Sequence, residues 1–86
     1  MVANQQDTLN RIQREVLVNI RLNAQLTQTQ LSTKLGHPQS YVSKYESGLR
    51  KLTLIEVREI SLSCGIDLLE FVDLLEREIE MQLSEV

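Results

Sequence analysis

The residues best suited to recognition chemistry lie between Gln39 and Lys44, where Gln39, Ser40, Ser43 and Lys44 alternate with Val42 and Tyr45. On a helix, Val42 and Tyr45 turn inward and the polar residues turn outward. A glutamine amide can bond an adenine edge through both its groups. A serine hydroxyl can bond several base edges, and a lysine reaches guanine acceptors or phosphate. The same residues also suit an ordinary solvated helix face.

Other chemistry finds little support. His37 is the lone histidine, beside a turn, and reads as a surface or capping residue. No nucleophile stands near a partnered base, so an enzyme is the least supported reading. Cys64 is the single cysteine, which excludes an internal disulfide. With no second cysteine or histidine pair at metal-ligand spacing, neither a metal nor a cofactor is expected. Cys64 shares a stripe with Val57 and Ile60 and reads as a small core residue.

The elements that must position these residues follow from periodicity and caps. Leu9, Ile12, Val16, Leu17, Ile20 and Ala24 recur at steps of three and four, which predicts a helix over about 8–25, capped by Asp7 or Thr8. Thr27 and Gln30 have capping-box spacing and start a second helix, which carries Leu31 and Leu35 and ends at Gly36. The pattern resumes after His37 and Pro38, so a third helix is expected over roughly 38–46 before Ser47-Gly48. Leu54, Val57, Ile60 and Cys64 mark a fourth, capped near Thr53 and stopped by Gly65, and Asp67 and Glu70 open a fifth to about Leu83. The expected fold is all-α, five helices in one domain over residues 1–86. Two short helices joined by a glycine turn, the second with a polar outer face, are the sequence form of a helix-turn-helix.

With 42% apolar and 24% charged residues the composition is that of an ordinary soluble protein. No apolar run reaches the ~20 residues that span a membrane. The first seven residues lack the basic and apolar segments of a signal peptide, so a cytoplasmic location is expected. Three aromatic residues, Tyr41, Tyr45 and Phe71, are too few for stacking platforms on single strands. The net charge of −3 conceals a division. Residues 1–51 hold Arg11, Arg14, Arg21, Lys34, Lys44, Arg50 and Lys51 against three acids, a net +4, whereas residues 52–86 carry −7. Such asymmetry suggests a basic face for a polyanion and an acidic remainder with another task.

From Arg21 to Ile66 the sequence resembles the lambda-repressor and Cro-type helix-turn-helix family, also called the XRE family. The matching residues are Arg21, Leu26-Thr27-Gln28, Leu31, Leu35-Gly36, the run from Pro38 to Gly48, Ile60 and Gly65-Ile66. The resemblance implies that Gln28 touches a phosphate, that Gln39, Ser40, Ser43 and Lys44 face the major groove, and that Arg50 and Lys51 lie beside the DNA backbone. It also implies an ion pair between Arg21 and Glu46. Three residues depart from the pattern. Pro38 replaces a usual Ser or Thr cap, which leaves His37 or the backbone to open the third helix and makes any thymine contact there apolar. Ser32 replaces a small alanine and needs a hydroxyl partner such as a backbone carbonyl. Cys64 stands where leucine is usual.

In the fifth helix Leu68, Leu69, Phe71, Val72, Leu74, Leu75 and Ile79 exceed the ~100° that one core-facing stripe requires. The surplus either thickens the intramolecular core or pairs with a symmetry mate. The second alternative makes residues 67–83 the dimerisation element, with Phe71, Leu74, Leu75 and Ile79 at the interface and acids from Glu70 to Glu85 at its rim. The expected partners are double-stranded DNA and a second copy, in a transcriptional regulator on a palindromic operator. Two other readings fit the same residues: an antitoxin whose acidic C-terminal segment docks a basic toxin, and an interaction module that no longer binds DNA.

Overall fold

The computed structural model describes residues 2–84, with side chains from residue 5 onward. Five helices follow in order: α1 (Val2–Asn23), α2 (Gln28–Lys34), α3 (Tyr41–Glu46), α4 (Leu54–Ser63) and α5 (Leu68–Leu83). Among the described residues there is no strand, and no helix is long and apolar enough to cross a membrane. Met1, Glu85 and Val86, which belong to the expected 1–86 domain, lie outside the described residues.

α1 begins at Val2, six residues before the sequence pattern predicts, so Asp7 and Thr8 are interior helical residues and not caps. The polar run Asn4–Asp7 carries no apolar period, yet lengthening an existing helix costs little once its nucleus is formed. Further along, Ile12, Val16, Leu17 and Ile20 are buried on one face. α1 ends where Gln25 takes a left-handed φ of 60° and Leu26 N–H returns to the Arg21 carbonyl, a Schellman closure made without glycine.

Thr27 caps α2 with Gln30, Thr53 caps α4 with Glu56, and Asp67 caps α5 with Glu70, each as a reciprocal capping box. α3 starts at Tyr41, three residues later than expected. Pro38–Ser40 instead form a turn in which Tyr41 N–H bonds the Pro38 carbonyl.

One core joins the helices: the α1 residues above with Leu31, Tyr41, Val42, Tyr45, Val57, Ile60 and Phe71. α1 packs on α3 and α5, α2 on α3, and α4 on α5. A six-residue helix is far too short to persist alone. Burial of Tyr41, Val42 and Tyr45 is what holds α3. Cys64 packs against this core, and burial pushes its thiol pKa up, away from a reactive thiolate.

Candidate nucleic-acid interface

With its apolar side committed to the core, α3 and the turn before it leave Pro38, Gln39, Ser40 and Lys44 exposed, and Ser43 half-buried. Ser43 Oγ donates to the Ser40 carbonyl at 3.0 Å. Gln39 and Lys44 make no side-chain hydrogen bond within the described residues, so their donors stay available. The start of α3 has an unusual support. Its N-cap Ser40 makes no side-chain cap, and the hydroxyl of the fully buried Ser32, on α2, accepts Val42 N–H at 3.1 Å. Ser32 thus meets a backbone N–H and not the expected carbonyl, and performs from a neighbouring helix the task of the cap that Pro38 displaced. His37 does not cap through its ring, which stacks on Tyr41 with centroids 3.9 Å apart.

At the far end of α3, Arg21 Nε donates to Glu46 Oε2 at 2.8 Å and Nη2 to Oε1 at 3.1 Å, a bidentate pair. Both side chains are nearly sealed, 10% and 6% exposed. Arg21 Nη1 also donates to the Leu26 carbonyl, and its bond to Glu46 raises the guanidinium pKa. Gln28, expected to touch a phosphate, donates Nε2 to Glu46 Oε1 at 2.8 Å. One amide N–H therefore belongs to the fold and one remains to be used.

The loop from Gly48 to Thr53 divides its cations. Arg50 Nη2 donates to Glu56 Oε2 at 2.6 Å, and its guanidinium carbon lies 5.1 Å from the Tyr41 ring centre. Lys51 has no partner within the described residues. The same loop meets Arg14 of α1: a Cβ placed on Gly48 would stand 3.3 Å from Arg14 Cζ. Arg14 escapes a reading of the helix-turn-helix alone. Its one sequence signal is the seven-residue step to Arg21, which puts both on one side of α1.

The expected interface on α5 needs correction. Phe71 is 2% exposed and belongs to the chain's own core, as α5 packs on α1 and α4, so it is not available to a second copy. Leu75 and Ile79, one and two turns on, pack against the same core and are half-buried. Leu74 is exposed, with Leu69, Val72 and Met81.

A bundle of five helices that presents a short, polar, rigidly supported helix after a tight glycine turn defines a helix-turn-helix protein. The helix-turn-helix family model matches residues 17–71, well over half of the chain. A solved structure similar to it is an XRE-family like protein from Pseudomonas syringae pv. tomato, 30% identical, with a TM-score of 0.81 over 88% of this chain and 93% of that one. No curated protein matches the chain. The chain belongs to the XRE family, and is a DNA-binding regulator of that type.

Proposed function

We propose that this protein is a sequence-specific transcriptional repressor or autoregulator that binds a palindromic operator as a homodimer in the cytoplasm. The carrying observation is the contrast within α3 and its turn, where unspent donors on Gln39 and Lys44 stand on a frame fixed by Ser32, Tyr45 and the Arg21–Glu46 pair. Rigid support with free outward donors is what base reading requires. In this reading Gln39, Ser40, Ser43 and Lys44 meet base edges and Pro38 offers an apolar contact. Gln28 and Lys51 hold phosphates, with Arg50 beside them once it shares itself with Glu56.

Exposed apolar side chains support the dimer. Of the nine large ones among the described residues, Leu54, Ile55 and Leu62 lie on α4 and Leu69, Val72, Leu74 and Met81 on α5, so the surplus is gathered on one pair of packed helices. Two copies of α3 then enter successive major grooves about 34 Å apart.

Footprinting on DNA upstream of the gene identifies the site, and mobility-shift titration of Gln39→Ala with Lys44→Ala tests the reader. Loss of a good bidentate base contact costs about 1–3 kcal/mol. A double variant that binds the footprinted site as tightly as the parent would exclude α3 as the reading helix.

A further inference from the structure

We propose that Arg14 extends the DNA interface onto α1, through a hollow between α1 and the α3–α4 loop that takes a backbone phosphate. The assignment rests on the DNA-binding function proposed above. Asn10, Gln13 and Arg14 line one side of the hollow, and Gly48, Arg50 and Lys51 line the other, around a volume of about 210 Å³. A water's share of liquid volume is ~30 Å³, so a phosphate group and several waters fit. No carboxylate lines the space.

Four cationic side chains among the described residues have no hydrogen bond or ion pair, Arg14, Lys44, Lys51 and Arg58, and two of them meet in this hollow. Arg11, Arg21 and Arg77 are each paired with a carboxylate of the chain. Arg14 and Lys51 have neither hydrogen bond nor ion pair within the described residues, although they line one hollow. Arg50, the third cation there, gives one nitrogen to Glu56 and has others to offer. Glu15, beside Arg14, and Glu56, which holds Arg50, both lie outside the lining, so the cations that line the space repel one another, and an anion bound there reverses the sign of that interaction.

The hollow is also pre-shaped. Gly48 holds φ +89° and has no Cβ, and the Arg14 guanidinium occupies the room a side chain would need. The loop leaves the C-terminal end of α3, so a helix seated in a groove brings the hollow to the strand that borders it. A phosphodiester is the anion found there at fixed spacing.

Fluorescence anisotropy with operator and unrelated duplexes between 50 and 200 mM salt tests the assignment, with the parent, Arg14→Gln, Arg14→Lys and the reader control Gln39→Ala. Arg14→Gln should weaken binding to both duplexes by roughly two- to fivefold per protomer. It should also lower the slope of log K against log salt by about 0.9 per protomer. Arg14→Lys should keep the parental slope, and Gln39→Ala should lose sequence preference at unchanged slope. Melting curves of each variant confirm an intact fold.

An unchanged slope and affinity in Arg14→Gln, with Gln39→Ala impaired, overturns the phosphate site and leaves the function standing. A parent that binds no duplex overturns both. Sodium phosphate titrated without DNA, followed by amide shifts at Gly48 and Lys51, separates the other source. Saturable phosphate binding abolished by Arg14→Gln while duplex binding is untouched would reassign the hollow to a free anion and overturn the DNA contact.

Discussion

Gln28 and Glu46, eighteen residues apart, are joined at 2.8 Å through the carboxylate oxygen that also accepts Arg21 Nη2. The three side chains therefore hold α1, α2 and α3 in one register at the edge of the reading helix. Removing Arg21 strands a carboxylate that is only 6% exposed. Arg21→Ala should cost about 3–5 kcal/mol, the range for breaking a buried pair. Arg11→Ala should cost under ~1 kcal/mol, because its pair with Glu15 is half-exposed. Urea unfolding compares the two, and equal midpoints would contradict the burial argument.

Ser32→Ala tests the cap supplied from α2. The substitution removes the acceptor of Val42 N–H in a site with no solvent access. A stranded buried donor costs about 1–3 kcal/mol. Ser40→Ala removes a side chain that makes no cap bond and should stay within about 0.5 kcal/mol of the parent. Thermal melts that rank these two in the opposite order would assign the start of α3 to Ser40.

Stability should fall in acid partly through Glu56. Its carboxyl is held below the ordinary range first by the Thr53 backbone N–H and then by Arg50. A folded-state pKa below the unfolded value of about 4.3 stabilises the fold above that value, and the contribution is lost as pH falls through the folded pKa. Glu56→Gln preserves the capping-box geometry and removes this titration. The stability difference between parent and variant should shrink between pH 5 and pH 3 in urea titrations. A constant difference would mean that Glu56 does not couple folding to protons.

The two sides of α5 should respond differently to charge. Phe71→Glu places a carboxylate in the core and should abolish cooperative folding. Leu69→Glu and Met81→Glu alter residues 79% and 62% exposed, and should leave helicity and melting near those of the parent. Within the proposed dimer they should shift sedimentation equilibrium toward monomer and weaken operator binding. A parent that sediments as a monomer at tens of micromolar would remove the dimer from the proposal.

The sequence makes the five-helix order legible, because Thr27, Asp67, Gly36, Gly48 and Gly65 punctuate it and the apolar period of α1 is strong. It is silent on contacts between elements. Nothing local to Ser32 points to Val42, and nothing local to Arg14 points to Gly48, since both depend on where packing brings helices together. The start of α1 is hidden for a different reason: the sequence of Asn4–Asp7 carries no apolar period and Gln5–Asp7 are exposed, so pattern is blind to a helix that continues on propagation alone. α5 misleads because several apolar stripes compete for one interior, and only its seating on α1 and α4 decides that Phe71 turns inward. At α3, Pro38 reads as a first helical residue but ends up in the preceding turn.

α1 also sets a rule for how this chain can change length. Along its single axis it meets α5 through Arg11 and Glu15 with Gln82, the loop through Arg14 with Gly48, and α3 through Arg21 with Glu46. Each added residue turns a helix by about 100° and lengthens it by 1.5 Å. One residue inserted between Arg14 and Arg21 would thus leave either the loop or the reading helix without its arginine, whichever half of α1 kept its seat. Insertions and deletions should survive before Arg11 and in the α4–α5 turn. The eleven residues from Arg11 to Arg21 act as a fixed ruler, whose spacing can be neither lengthened nor shortened.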